Sequence, residues 1–559
     1  MPVITLRMEK LNKALGIEIN VEEAVEKLPW LGLDIEEVGE DYIRVEYSPN
    51  RMDFSSCVGI VRALKGLMNL EVGLPTYNLV DGEITVKVKP SVSKVRPYIV
   101  SAVVKNLDLT EEDVKELMEM QEDLHWGIGR NRRLIAIGLH NLDATVPPFT
   151  YTALKPESIS FTPLDMEEEL TLREILEKHE KGREYGYLIK HAEKYPVILD
   201  GKGRVISFPP IINSELTKIS EETKNVFIDI TGLNFESVNN GLNILVSAMA
   251  DMGAKIETVT VQYPDKTIKT PNLEPKKMNL RVEYSNKMLG LNLSDEETIK
   301  CLKRCRFNAT RLSDGLIEVS IPAYRIDILH EIDLVEEVAI GYGYYKLKPK
   351  RPPSKISGKR NAVNEFMRLI RQIMIGLGFT EAMNFILTNE RIHYEMMRMP
   401  YGNPVKLANP VSSEYTMLRE MILPSLMKNL SENTHEAYPQ KLFEVSDVIK
   451  ANPKVSVKTE RKMHLSAVSA HSTANYTEIK MYLDALFKSL GIEDYTIVED
   501  EHPSFLPGRV ASINLHGEKI GLIGEIHPEV LNNFRIGNPV CAFEVELEPI
   551  FERLKGRFK

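Results

Sequence analysis

LIEVSIPAYRIDILHEIDLVEEVAIGYGY, residues 316–344, reads as a strand (LIEVSIPAY), a short turn and a helix closed by Gly343. A second helix, SDEETIKCLKRC at 294–305, opens on a Ser cap with an acidic first turn. Together they predict a small, helix-rich domain over 271–347. The proline-bearing linker QYPDKTIKTPNLEPKK (262–277) leads into it, and the basic, proline-bearing KLKPKRPPSKISGKR (346–360) leaves it. Working outward, residues 1–85 read as an α+β domain. It has a strand at Val3–Arg7, a helix through Ala24, Val25 and Leu28, a strand at Tyr42–Tyr47, and the turn SPNRMDF (48–54). A helix follows, capped by Ser55 or Ser56, with Val58, Val61, Leu64 and Met68 at helical spacing.

Residues 86–270 alternate β-like runs (PYIVSAVV, RLIAIGL, RVISFPP, NVFIDITG) with acidic helices such as Glu111–Met120 and Glu167–Lys178, a mixed α/β domain. The last domain, 348–559, begins with a helix over Asn364–Leu377. It continues in strands such as AMNFILT, KLFEVSDV, VASINLH and GEKIGLIGEI, which suits an antiparallel sheet with helices packed on it. The fold class is therefore multidomain α+β, and no internal repeat is evident in the residue pattern.

With 559 residues, 43% of them hydrophobic and 27% charged, the chain suits a soluble multidomain protein; no run of about 18 apolar residues is long enough to span a bilayer. The first residues lack the pattern of an export signal, and four cysteines are too few for a disulfide framework, so a cytoplasmic location is expected. A net charge of −10 argues against a general nucleic-acid coat. Any RNA contact must be local, with Arg130, Arg132 and Arg133 of GRNRR, or the seven basic residues of 346–360, as its sources or else as solvated surface. Cys301 and Cys305 share a helix spacing without a second ligand pair, which favours core packing over zinc.

The sharpest cluster is Asp327, Asp333, Glu336 and Glu337. The last three fall on one helical face, and Asp327 lies just before the helix. Four carboxylates so placed repel unless neutralised. An oxygen-ligated Mg²⁺ is one answer; complementing the helix dipole, with Arg325 as counter-charge, is the other.

Several long blocks carry a family resemblance. PNRMDFSSCVGIVRAL (49–64), PAYRIDILHEIDLVEEVAIGYGY (322–344), NPVSSEYTMLREMILPSLMKNLSEN (409–433) with LFEVSDV (442–448), and FLPGRVASINLHGEKIGLIGEIHPEVL (505–531) resemble, in this order, the phenylalanyl-tRNA synthetase β subunit. RRLIAIGLHNLDATVPPFTYTAL (132–154) is similar to its archaeal/eukaryotic branch. The resemblance implies an (αβ)₂ assembly with a catalytic α subunit, tRNA(Phe) as partner, and a magnesium site at Asp327, Asp333, Glu336 and Glu337 shared with that subunit. It also implies that 348–559 is a class II synthetase-like domain that is catalytically silent. Neither an Arg-x-Glu on an antiparallel strand nor a Gly-rich strand leading to a second Arg is present to bind ATP.

By the same resemblance, 86–270 is an editing domain that hydrolyses mischarged Tyr-tRNA(Phe). A pocket shaped for phenylalanine rejects one added hydroxyl by only about a hundredfold, so a second site must remove tyrosine. Asp229 is the candidate acceptor for the phenolic proton, with Ser207, Asn213 and Leu199 lining the same cleft. His140 and His191 have no evident Ser or Cys partner in sequence, which leaves an oriented water as the expected nucleophile. The alternative is a tRNA-binding assembly scaffold without active editing.

Overall fold

The computed structural model describes residues 2–352 and 357–558 and forms two compact units, Met1–Arg351 and Pro352–Lys559. Part of the basic stretch 346–360, residues 353–356, lies outside the described residues.

The first unit contains the same small fold twice. In the first copy, strands Val3–Arg7, Asp34–Val38 and Tyr42–Glu46 form a three-stranded sheet with the last strand in the middle, accompanied by helices Met8–Leu15, Val21–Lys27 and Cys57–Leu67. In the second, strands Lys276–Arg281, Asn308–Ser313 and Leu316–Ile321 take the same order, with helices Val282–Leu289, Asp295–Arg304 and Glu331–Tyr342.

The local devices repeat as well. Gly16 and Gly290 end the first helix of each copy in the left-handed region (φ 80° and 66°), where a Cβ is disfavoured. The Asn12 side chain clamps both backbone groups of Ile19 (3.1 and 3.2 Å), and Asn286 clamps Leu293 (2.9 and 2.8 Å). Capping boxes open the second helices at Asn20/Glu23 and Ser294/Glu297. Arg51 holds Asp53 with two hydrogen bonds of 2.9 Å, and Arg325 holds Asp327 with bonds of 2.9 and 2.7 Å. Each of these pairs of positions is 274 residues apart, as in 12 and 286 or 51 and 325. The expectation of no internal repeat is thus overturned: the repeat is one of geometry, carried by few identical residues.

Between the copies lies an eleven-stranded sheet. It runs in space from Ile212–Asn213 through Val205–Phe208, Tyr195–Leu199, Phe149–Leu154, Thr85–Val88, Lys255–Gln262, Tyr98–Lys105 and Val226–Gly232 to Ile135–Asn141, with Leu79–Val80 and Thr267–Thr270 paired beside Lys255–Gln262. Successive side chains of a strand face opposite ways, and this divides two cores. Val100, Ala102, Val104, Ile228 and Ile230 pack with the helix Phe235–Asp251 through Leu242, Leu245 and Met249. Ile99, Val103 and Phe227 pack on the other side with Phe149, Val259 and Val261. The helix expected over Glu167–Lys178 begins only at Leu172. Thr171 caps it in a box with Glu174, while Leu170–Thr171 pairs with Ser160–Phe161 as a short hairpin.

The second unit is a seven-stranded sheet in the order Thr380–Glu381, Gln440–Ala451, Thr459–Ala470, Val540–Glu546, Glu518–Ile526, Phe505–Leu515, Tyr495–Glu499. All neighbours are antiparallel except the first pair. Helices Ala362–Gly376 and Tyr476–Leu490 cover one face through Phe366, Ile370, Leu483 and Phe487. Helix Leu423–Glu432 covers the other through Leu426, Met427 and Leu430.

Candidate functional site: a cleft where the sheet ends meet, and a carboxylate cluster

The eleven-stranded sheet curls until its two ends approach each other. The Asn213 amide on one end donates to the Leu139 carbonyl on the other (3.3 Å), and Ser207 Oγ donates to Asn213 Oδ1 (3.2 Å). The curl encloses a cavity of about 360 Å³, of the size that takes a small molecule. Its walls are apolar at Met118, Ala136, Ile137, Leu164 and Ile211, and polar at Gln121, Glu122, Ser207, Asn213 and Asp229. Three of the four residues expected in a cleft therefore share one. Leu199 is the exception: it does not line the cavity, and its strand position turns it into the neighbouring cluster beside Val205 and Tyr195.

Asp229 sits in the middle of its strand, opposite Ser101 on one side and Gly138 on the other, and is 1% exposed. Its carboxylate swings over Gly138, where a Cβ would lie 2.2 Å from Oδ2 and 2.6 Å from His140 Nε2. Only glycine leaves that space open. His140, two residues further along the same face, contacts Asp229 Oδ2 through Nε2 at 2.7 Å and Thr217 Oγ1 through Nδ1 at 2.9 Å. His140 thus has an acid and a hydroxyl as partners, which sequence reasoning missed. His191 is exposed, as a histidine without a role would be.

The opposite wall is built on Glu122. Its carboxylate receives Arg132 Nη2 at 2.6 Å and lies 3.2 Å from His125 Nδ1. The Ile137 amide donates to His125 Nε2 (2.8 Å), so the ring proton sits on Nδ1 and points at Glu122. Burial lowers the pKa of His125 and keeps the ring neutral. For Glu122, partial burial works upward, but the hydrogen bond from His125 and the charge and hydrogen bond of Arg132 prevail and bring it down to about 2. Arg132 also donates to the Ile211 carbonyl (2.8 Å) and stacks on Tyr185 (4.5 Å). Arg130, Asn131 and Arg132 take three consecutive left-handed conformations (φ 47°, 55°, 63°), a costly turn for residues with side chains. It leaves Arg130 and Arg133 exposed beside the cleft, without a carboxylate partner among the described residues.

The carboxylate cluster of the second repeat is arranged differently from a ready ligand cage. Arg325, buried, holds Asp327 with both oxygens and also donates to Glu337 Oε1. Asp333 Oδ2 caps the helix by accepting from the Leu329 and His330 amides, each at 2.7 Å. Glu336 is left over. Burial and the negative charges of Glu337, Asp327 and Asp333 raise its pKa. Among the described residues no three His, Cys, Asp or Glu side chains are gathered as a metal-ligand set. What remains is Glu336, a carboxylate without a hydrogen bond or ion pair among the described residues and only partly offset by the charge of Arg325, with unused oxygens on Asp333 and Glu337, a donor set of the hard, oxygen-only kind. Cys301 packs in the core of this repeat, and the Cys305 thiol donates to the Glu337 carbonyl.

In the second unit Arg419 is completely buried. Nη2 donates to Glu444 Oε1 (2.6 Å) and Nε to the Asp447 carbonyl (3.2 Å), so this guanidinium is an internal brace. The segment between strands Thr380–Glu381 and Leu387–Thr388 alternates in the unexpected sense. Asn384 turns in to Glu444 (2.8 Å), while Met383 and Phe385 point out, 95% and 73% exposed.

These geometries have counterparts among known proteins. Residues 131–244 match the B3/4 domain, 278–344 the tRNA synthetase B5 domain, and 347–547 the phenylalanyl tRNA synthetase beta chain CLM domain. The chain is 43% identical to the phenylalanine–tRNA ligase beta subunit of Archaeoglobus fulgidus, with 99% of each chain covered, and 41% identical to that of Pyrococcus furiosus, covering 99% of this chain and 100% of the other. Among solved structures, an N-terminal fragment of the phenylalanyl-tRNA synthetase beta subunit of Pyrococcus horikoshii superposes with a TM-score of 0.59 at 38% identity, over 61% of this chain and 99% of the fragment. The chain belongs to the phenylalanine–tRNA ligase beta-subunit family.

Proposed function

We propose that this β subunit hydrolyses tyrosine esterified to tRNA(Phe) in the cleft around Asp229, while an α subunit attaches phenylalanine to the same tRNA. The observation that carries the reading is a buried carboxylate with one oxygen held by His140 and the other, Oδ1, accepting nothing from the described residues, at an apolar-walled cavity. A phenolic hydroxyl donated to that oxygen makes a charge-assisted hydrogen bond; a phenyl ring leaves it unpaired and desolvated. This is the asymmetry a proofreading site needs, because a hydroxyl-binding site rejects the analogue lacking it far better than an apolar site rejects the added hydroxyl. Ser207 and Asn213, already bonded to each other, fix the rim facing Asp229. The attacking group in this reading is a water, since His140 is committed on both nitrogens.

The exposed Arg130 and Arg133 supply the local positive charge that an RNA 3′ end requires in a chain of net charge −10. The α subunit in this reading docks on the second unit, where Met383 and Phe385 offer apolar surface that a solvated protein seldom leaves bare, and two αβ pairs form the heterotetramer. Adenylate formation is assigned to the α subunit, because the sequence offers neither arginine of an ATP-binding pair and the buried Arg419 is locked to Glu444. Mg²⁺ is assigned to Asp327, Asp333, Glu336 and Glu337 at the junction with the α subunit, supported by the raised pKa of Glu336 among its acidic neighbours. We retain a four-part division, 1–85, 86–270, 271–347 and 348–559, noting that Leu79–Val80 already pairs with the large sheet. No described helix is long and apolar enough to cross a membrane, and all four cysteines are free, in keeping with work in the cytoplasm.

The test is Asp229→Ala in the assembled enzyme. Phe-tRNA formation is expected to stay near the parent rate while Tyr-tRNA accumulates. Clearance of Tyr-tRNA at the parent rate would leave only the scaffold reading.

A further inference from the structure

We propose that His140 is a positioning residue of this cleft, and that the His140–Thr217 pair sets the preference for a tyrosyl over a phenylalanyl ester by fixing which oxygen of Asp229 faces the substrate. The proposal rests on the editing function proposed above and specifies where its selectivity is set.

A carboxylate only accepts hydrogen bonds, so the proton shared at 2.7 Å belongs to His140 Nε2. The ring cannot turn away, because Nδ1 is tied to Thr217 Oγ1 at 2.9 Å and that hydroxyl lies 3.2 Å from the Ser214 carbonyl. Phe227 stands beside the imidazole, with ring centroids 6.1 Å apart, and itself stacks on Phe149 at 4.1 Å. His140 is 0% exposed and Thr217 1%, so water does not compete for either. Held at Oδ2 over the bare Cα of Gly138, the Asp229 carboxylate has one direction left for Oδ1.

An alternative donor stands ready if the hold is released. Ser101 pairs with Asp229 across the neighbouring strand, and its Oγ is buried without a hydrogen-bond partner. A carboxylate free to rotate would take that hydroxyl, satisfy itself internally, and cease to distinguish a phenol from a phenyl ring. Asp229 in this account contacts substrate, and His140 acts through it.

The experiment uses the full chain assembled with its α subunit and measures hydrolysis of tRNA(Phe) preloaded with tyrosine or with phenylalanine. His140→Phe is expected to lower the Tyr-over-Phe rate ratio by about tenfold or more, the loss of one hydrogen bond to a charged group, by slowing Tyr hydrolysis alone. His140→Gln, whose side-chain amide can donate to Asp229, should keep most of the ratio. Thr217→Val, near-isosteric, should lower it in the same direction by a smaller factor. A folded His140→Phe or Thr217→Val with parental selectivity would overturn the proposal. Should His140→Phe fail to fold, as judged by its melting, Thr217→Val decides. A parent that leaves Tyr-tRNA intact removes the editing reading itself, a separate outcome from a selective parent whose variants are equally selective.

Discussion

Glu122 is the most strongly perturbed carboxylate of the cleft wall, and its neighbours define a pH signature. Its pKa falls from an unfolded value of about 4.3 to about 2 in the fold. The group therefore adds stability above about 4.3 that is lost as the pH falls toward 2. His125 acts in the same direction but earlier: its folded pKa is lowered, so the unfolded chain takes up a proton first, and stability declines as the pH drops below about 6.5. We expect Glu122→Gln to lower the melting temperature at pH 7, with the difference narrowing below about pH 4.3 and closing only near pH 2; a constant difference across that range would contradict the assignment. Because half of the Glu122 side chain is exposed, added salt should shrink the effect. At this scale sequence is informative about residue type and nearly silent about pairing. NVFIDITG shows an acid inside an apolar strand, and so marks Asp229. Its partner His140 is 89 positions away and becomes visible only through strand register, and the same register makes Gly138 indispensable while turning Leu199 out of the cleft.

Among elements, the two copies of the small fold comment on each other. Arg51 and Asp53 correspond to Arg325 and Asp327 at the constant separation of 274, and on that count Arg62 corresponds to Glu336. In the first copy Arg62 lies 3.9 Å from Asp53 and 2.6 Å from Asp251, a cation covalently supplied to the acidic pocket. In the second copy the corresponding position is an acid that burial and its neighbours strain toward protonation. A bound divalent ion at the second copy would do what Arg62 does at the first. Raising Mg²⁺ at constant ionic strength should therefore stabilise the parent, by about 2.7 kcal/mol at a hundred times the dissociation constant. Glu336→Arg should abolish that response without loss of stability in its absence. Equal responses to Mg²⁺ and Na⁺ in parent and variant would instead indicate helix-dipole charges alone. The repeat escapes a reading by residue type because the sheet and helices tolerate any apolar residue of suitable size; only Asn12, Gly16, Glu23, Arg51 and Asp53 recur as identities among its devices. The strand and helix types within each copy, by contrast, follow from periodicity and caps such as Ser56, which accepts from the Gly59 amide, and Ser294.

For the whole molecule the question is what an antiparallel unit that matches the beta chain CLM domain contributes to a ligase. Its sheet order was not legible from strands read singly, since the pairing of Thr459–Ala470 with Val540–Glu546 spans some eighty residues that no local pattern links. Once the sheet is formed, Arg419 has no exposure and braces Glu444, so this guanidinium is not available to a phosphate. What the unit offers outward is the extended segment at the sheet edge, where Met383 and Phe385 stand in water and Phe385 meets Tyr415 edge to face at 5.8 Å. Solvent-facing apolar side chains in an extended edge segment favour association, and buried aromatic anchors at an interface typically cost 2 kcal/mol or more, about thirtyfold in affinity, when truncated. Met383→Ser with Phe385→Ser should therefore leave the melting of the chain unchanged, because neither side chain contributes to the core. It should weaken co-purification with the α subunit by at least that factor and reduce phenylalanyl-adenylate formation in the mixture accordingly. The chain alone should form no adenylate with or without these substitutions. Undiminished assembly by the double variant would move the α-subunit contact elsewhere on this unit, and adenylate made by the chain alone would show that a phosphate-binding site exists despite the burial of Arg419.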